Sequence, residues 1–329
     1  MRTLSGKTSS SEEISAEPKI KVGVGGWAYL PIRHVNKLEV CARLYDFAEI
    51  NSSYYKLPQV ESAKWWRRIV PEQFEFTMRA NRRLTHENHL KPSEENFRLY
   101  QKHLELCRVL NVSILHFQFP PSLEVTEDTV KSWRDFLNST SSSGKEVPHL
   151  AFEIRSEGSR RLPYVNSFFR EYDITPTEDA SRESELSSSG ESKIFYTRVF
   201  GQGYHTRWSF DSEELKKLEK KVEAVEAKKR YVTFHNFTMY EDASRMKNIV
   251  KTGKELSSSS RPAYETFDRT LAMARVKFPI TKGSLFEECG WRTYEESSGQ
   301  KFHLGKLLER LPEGRKFQSL EEILEIIHH

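Results

Sequence analysis

The amino-acid sequence predicts an α/β fold: a (β/α)8 TIM-like barrel over residues 19–252, followed by a small α+β module over 262–329. Three observations predict it. Strand-like and helix-spaced segments alternate from residue 19 onward; eight strand-like segments can be counted; and the polar residues that interrupt them fall late in each one. Alternation over so long a span calls for a parallel sheet with helices outside it, and eight repeats favour a closed barrel over an open sheet.

The elements follow in order. "KIKVGVGGW" (19–27) is a β-rich run ending in glycines, and "KLEVCARLYDF" (37–47) has helical spacing. "FAEINSSYY" is the second strand, "VESAKWWRRI" (60–69) a helix, and "FEFTMRAN" (74–81) alternates with period two. "SEENFRLYQKHLELCRVLN" (93–111) sets Phe97, Tyr100, Leu104 and Cys107 on one helical face ahead of the strand "VSILHFQFP" (112–120). "TEDTVKSWRDFLN" (126–138) is a helix capped by Thr126, then come the strand "HLAFEIRS" (149–156), the helix "YVNSFFREYD" (164–173) and a short strand, "ITPTEDA" (174–180). "SRESELSSSGES" (181–192) carries no apolar stripe, so a regular sixth helix is expected to be missing. "KIFYTRVFG" (193–201) is the seventh strand. The next helix opens on a capping box, Asp211 with Glu214, and leads to the eighth strand "RYVTFHNF" (230–237) and the helix "MYEDASRMKNIVK" (239–251). Residues 1–18 read as a disordered tail without a signal-like apolar region, and 253–261 as a serine-rich linker. In the module, "AYETFDRTLAMARV" is helical, Thr281 to Gly290 is a short capped helix, "WRTYEESSGQKFHL" resembles a hairpin, and Ser319 with Glu322 caps a last helix.

Bulk composition narrows the function classes. Lys and Arg number 51 against 47 Asp and Glu, a net charge of +4 that does not mark a nucleic-acid binder by itself. A charged fraction of 30% and a mean hydropathy of -0.67, with no apolar run of membrane-spanning length, argue against a membrane protein. Cys41, Cys107 and Cys289 are odd in number and widely spaced, which fits inert thiols in a reducing compartment, the cytoplasm, and no disulfide framework.

A barrel strand covered on both faces is normally an unbroken apolar run, so its polar interruptions carry information. Glu49 and Asn51 share parity in the second strand, as do Thr77 and Arg79 in the third, His116 and Gln118 in the fourth, and Glu153 and Arg155 in the fifth; Arg198 lies late in the seventh, His235 and Asn236 in the eighth. All these ends open onto one mouth. One pocket is expected there, lined by Glu49, Asn51, Arg79, Gln118, Glu153, Arg155, Arg198 and His235.

Seven blocks then carry a resemblance. "VGVGGWAY" (22–29), "EINSSYYKLP" (49–58), "FEFTMRANRRLTH" (74–86), "LHFQFPPS" (115–122), "AFEIRS" (151–156), "YTRVFG" (196–201) and "YVTFHN" (231–236) occur in the order of the YecE-like family, domain of unknown function 72, and over roughly 19–251 the chain resembles it. The resemblance implies a TIM-like barrel and no established reaction. The departures are local. Arg79 stands where the family has lysine, keeping charge but losing a nucleophilic amine, and Phe200 where it has histidine, with His205 the nearest substitute. His235 replaces an asparagine, and "SEGSRR" follows the E-I-R block where histidine and tryptophan are usual.

The chemistry these residues suggest is of several kinds. Arg79, Arg155 and Arg198, with Arg82, Arg83 and Arg207 nearby, suit a phosphate or carboxylate, and "GVGGW" offers backbone N–H groups beside them. A divalent metal is a candidate cofactor, with Glu49, Glu153 and Asp179 as candidate ligands. Glu49 and Glu153 could instead pair for acid–base work of the glycosidase kind. Trp27, Tyr29, Tyr54, Tyr55 and His86 add the aromatic and basic groups of a base-stacking surface. The leading expectation is a hydrolase-type enzyme for a phosphate-bearing substrate, a nucleotide or nucleic acid. Arg79, Arg155 and Arg198 would hold the anion, Glu49 or Glu153 would act as base or ligand, Asn51, Gln118 and Asn236 would bind substrate, and His235 would move a proton near neutral pH. The alternatives are a sugar or sugar-phosphate enzyme and a non-catalytic ligand- or RNA-binding barrel. Residues 262–329 are a candidate surface for a protein partner.

Overall fold

The computed structural model describes residues 20–140, 148–156, 158–182, 186, 193–202, 206–255, 263–296 and 299–328. The expected tail, most of the serine-rich linker and His205 lie outside them. Eight strands alternate with helices: β1 (Ile20–Val24), α1 (Lys37–Leu44), β2 (Phe47–Ile50), α2 (Val60–Ile69), β3 (Glu75–Arg79), α3 (Glu94–Leu110), β4 (Val112–Phe119), α4 (Glu127–Thr140), β5 (His149–Ile154), α5 (Pro163–Glu171), β6 (Thr175–Pro176), β7 (Ile194–Val199), α6 (Ser212–Glu223), β8 (Lys229–Phe234) and α7 (Met239–Thr252). The described residues between β6 and β7 contain no helix.

The strands form one parallel sheet in the order β6-β5-β4-β3-β2-β1-β8-β7. The barrel is nearly closed. Its seam lies between β6 and β7, where a single bridge joins Glu178 to Thr197 and the Thr175 hydroxyl donates to Ile194 O at 2.9 Å. The seam has a local cause: β6 is two residues long, and Pro176 brings no N–H to a ladder.

Side-chain parity divides the strands. Val22, Ile50, Met78, Phe117, Phe152, Val199 and Phe234 face outward and pack under the helices in the main core. Phe47, Ile114, Ala151, Tyr196 and Tyr231 face inward and fill the lower barrel. The helices are set by local signals. Asn36 caps α1 by accepting from Leu38 N, Ser93 caps α3, and the Asp211–Glu214 capping box opens α6. The three cysteines are buried and free, and burial pushes each thiol up to about 12.

Residues 263–328 continue with α8 (Ala263–Met273), β9 (Ile280–Thr281), α9 (Lys282–Leu285), β10 (Thr293–Glu295), β11 (Lys301–His303), α10 (Leu304–Leu308), β12 (Lys316–Phe317) and α11 (Leu320–His328). They surround a second apolar cluster that includes Phe267, Leu285, Leu308, Phe317 and Ile323. The hairpin β10–β11, in register Tyr294↔Phe302, rests on the loop ahead of α6 and on its first turn: Ser209 N donates to Trp291 O, and Lys301 N donates to Ser212 Oγ at 2.8 Å. Among the described residues no helix is long and apolar enough to cross a membrane.

Candidate functional site

The strand ends bring Glu49, Glu153 and Arg198 together inside the barrel. Arg198 Nη2 donates to Glu49 Oε1 at 3.1 Å and Nη1 to Glu153 Oε2 at 3.0 Å, so one guanidinium spans carboxylates from β2 and β5. All three are buried. Tyr196, two residues before Arg198 and on the same face of β7, donates its hydroxyl to Glu49 Oε2 at 2.6 Å. Burial alone would push the Glu49 carboxyl up; Arg198, His235, His116 and the Tyr196 hydroxyl outweigh it and hold the group at about 2. The same contest places Glu153 well below the carboxylate range, with Arg198 and Arg155 as the main opposing charges. Both carboxylates are therefore ionised at neutral pH.

His116, on β4, is fully buried beneath this pair. Its Nε2 lies 3.3 Å from Glu153 Oε2 and its Nδ1 3.8 Å from Glu49 Oε2, yet neither contact has hydrogen-bond geometry, and both ring nitrogens are without a partner. His235 closes the opposite side. It accepts from Arg198 Nε at 3.3 Å, and its ring stacks on Phe200 with centroids 5.3 Å apart. Gly25 makes room for it, since a Cβ there would sit 2.4 Å from His235 Nδ1. Burial and then the Arg198 charge pull His235 down to about 3, so its ring is neutral at pH 7 and its titration lies well below the near-neutral range expected from the sequence.

A second tier lies above. Arg79 Nη1 donates to Asn51 Oδ1 at 3.1 Å and Nη2 to Gln118 Oε1, while Gln118 Nε2 donates to Glu153 Oε1 at 2.8 Å. The Arg79 guanidinium lies 3.7 Å over the Tyr54 ring, and Tyr54 meets His86 edge-on at 5.1 Å. Burial and Arg198 bring Arg79 down to about 10, and burial followed by Arg79 and Arg155 brings His86 to about 4. Arg155 Nε donates to Glu153 Oε1 at 2.6 Å, and its guanidinium lies 5.7 Å over Phe200. The local chain explains Tyr54. Asn51 turns β2 into a short 3-10 turn, and the Ser53 hydroxyl reaches Arg79 O at 2.6 Å, tying the β2 and β3 ends together.

The expected residues divide accordingly. Glu49, Asn51, Tyr54, Arg79, His86, Gln118, Glu153, Arg155, Arg198 and His235 converge on the mouth. Trp27 instead packs edge-on against Trp66 at 5.1 Å, and Tyr29 stands exposed on the loop after β1. Asn236 has the opposite parity to His235; its amide donates to Trp208 O and Asp242 Oδ2, bracing loops outside the barrel. Asp179 accepts from Ser181 N and Phe200 N and pairs with Arg182 at 3.2 Å; burial raises its carboxyl to about 6. Arg82 and Arg83 turn outward to Glu87 and Glu95. Tyr196 and Phe200 join the site beyond the sequence candidates. Tyr196 shares the parity of Arg198, a signal that was available; Phe200 registered only as a departure from the family.

Glu49, Glu153 and Asp179 do not fit a divalent metal. Arg198 occupies the space between the two glutamates, and both Asp179 oxygens serve the loop around it. Among the described residues the one group of three metal-type ligands that converges is Asp211, Glu214 and His303, where the module meets α6.

Comparison with known proteins places the barrel. The family model described as "Protein of unknown function DUF72" matches residues 21–265, and the chain belongs to that family. A DUF72 family protein from Enterococcus faecalis is similar in structure, with a TM-score of 0.58 at 17% identity over 71% of this chain and 98% of that one. Another from Thermotoga maritima gives 0.57 at 19% identity, covering 70% and 99%. At these identities the likeness concerns the fold. No curated protein matches the chain.

Proposed function

We propose that the mouth binds a phosphate-bearing ligand, a nucleotide or a short stretch of nucleic acid, with an oxyanion seated against Arg79 and Arg155. One observation carries this. Arg79 is half-buried and forms no ion pair with any described carboxylate; its partners are the neutral amides of Asn51 and Gln118, and its Nε has none. A cation withdrawn from water without a counter-ion is relieved when an anion arrives. The charges agree: three arginines face two ionised glutamates, an excess of one positive charge. Arginine forks suit phosphate, and the Tyr54–His86 pair supplies a stacking surface beside it.

Hydrolysis at this mouth would rest on positioning and charge, as phosphoryl transfer generally does. It would not rest on a carboxyl acid–base pair, because neither Glu49 nor Glu153 is raised towards neutrality. The same fact weighs against the sugar-cleaving alternative. It favours a second reading, binding without turnover, since both carboxylates are already engaged by Arg198.

Calorimetric titration with pyrophosphate and ADP, run beside an assay of phosphate release, tests both. Saturable binding that weakens by about tenfold or more in Arg79→Met is expected. No binding, or binding indifferent to that substitution, refutes the proposal. Release that follows binding identifies a hydrolase, and binding without release identifies the second reading.

A further inference from the structure

A cavity is open where residues 286–309 meet the barrel. With a volume of about 680 Å³, it lies between the loop ahead of α6 and the segment running from α9 to α10. Its size falls within the range of small-molecule sites, and junctions between folded units are where such sites occur. Trp208, Phe286 and Trp291 form its aromatic walls, and Glu287, His303, Lys306 and Glu309 supply its titratable groups.

The charges in the lining do not balance. His303 Nε2 lies 2.8 Å from Glu214 Oε2 and 4.0 Å from Asp211 Oδ2, while its Nδ1 faces Trp291 O at 3.2 Å. Lys306 Nζ lies 3.9 Å from Asp211 Oδ2 and 4.6 Å over the Phe302 ring. Lys306 is thus already countered by Asp211, and the His303 ring is held by Glu214. Glu287 and Glu309 are exposed and form no ion pair with any described residue. Three aromatic ring systems and two carboxylates outside any ion pair among the described residues favour a positive ligand.

We propose that this cavity binds an organic cation of the quaternary-ammonium class, its methylated head between Trp208, Phe286 and Trp291 and its charge facing Glu287 and Glu309. Aromatic faces attract such a head through the ring quadrupole, and it loses less hydration on entry than a primary ammonium does. The site uses none of the mouth residues and stands independently of the reading above.

The test titrates the full chain with choline and with its neutral isostere 3,3-dimethylbutan-1-ol, followed by calorimetry and tryptophan fluorescence. Choline is expected to saturate and to bind about tenfold or more tightly than the alcohol. In a Glu287→Gln/Glu309→Gln variant, whose changes lie at exposed positions, the preference is expected to collapse while the melting temperature holds. Absence of saturation, equal binding of the alcohol, or an undiminished preference in the variant overturns the proposal.

Discussion

At the floor of the barrel Lys21 pairs with Glu75, whose other oxygen accepts from Ser113 and, at 2.8 Å, from the Tyr231 hydroxyl. At the mouth Arg198 serves two carboxylates, Arg79 and Arg155 add two further cations, and Arg79 Nε and both His116 nitrogens lack partners. Both ends hold charges drawn from several strands in a space walled off by the sheet. Among the described residues the floor matches one cation to one carboxylate, with both carboxylate oxygens satisfied, and it serves as a plug. Among the described residues the mouth has a cation left over and polar atoms unmet. Buried polar groups are normally paired, and the proposed anion site rests on this imbalance at the mouth. Charge at the end of a barrel strand is thus a weak indicator of function; charge that fails to balance is a stronger one.

Arg198→Met is the largest expected break in this contrast. It strands two buried carboxylates and should cost about 3–5 kcal/mol, measured by urea unfolding. The floor counterpart, Lys21→Met, should cost less, about 2 kcal/mol, because Ser113 and Tyr231 still donate to Glu75. Equal losses would mean that the two ends do not differ in kind.

Acid sharpens the comparison next. Glu49 and Glu153 are depressed carboxyls, so their contribution is whole above the ordinary value of 4.5 and is lost as pH falls towards the folded value, about 2 for Glu49. A carboxyl moved that far is worth about 3 kcal/mol at neutral pH. Burial holds His103 at about 4 and, with Arg198, His235 at about 3, and it lowers His116 as well. Below about 6.5 the unfolded chain therefore binds protons that the folded one refuses, and these groups too lose stability as pH falls. Unfolding free energy should decline steadily from pH 7 to pH 3. In Arg198→Met the segment below 4.5 should flatten, since Glu49 would no longer be held low. An unchanged slope would remove Arg198 as the cause.

Much of this barrel was legible in the sequence, for definable reasons. Parallel strands covered on both sides must be apolar, so Glu49, Arg79, Gln118, Glu153 and Arg198 stood out, and period-two parity placed them on one inner face. Parity also separates His235, which faces in, from Asn236, which faces out, although Asn236 too is a substrate-binding candidate from sequence. What sequence could not supply was pairing across distance. That Tyr196 caps Glu49, 147 positions away, depends on barrel closure. So does the place of Arg198 between the glutamates, where a metal had been a candidate. The depression of His235 has the same origin, because a histidine's range is set by neighbours on other strands. The cavity beneath the module was invisible for a similar reason: its walls come from the loop ahead of α6 and from residues 286–309, which meet only on docking.

The smallest expected effect compares the two ends most directly. Each has a cation near an aromatic ring: Arg79 at 3.7 Å over Tyr54 at the mouth, and Lys21 at 6.0 Å from Tyr231 at the floor. Attraction to a ring face fades at the edge of about 6 Å, and guanidinium stacks on rings better than ammonium does. A double-mutant cycle with Arg79→Met and Tyr54→Leu should give a coupling of about 0.5–1 kcal/mol in stability, and the cycle with Lys21→Met and Tyr231→Phe a value set by the shared Glu75 carboxylate. Arg79→Met alone should move stability by less than about 1 kcal/mol, since removing an uncountered, half-buried cation also removes its desolvation cost. A small loss of stability beside a large loss of affinity is what the proposed anion site requires. A loss above about 2 kcal/mol in Arg79→Met would make the mouth a second plug.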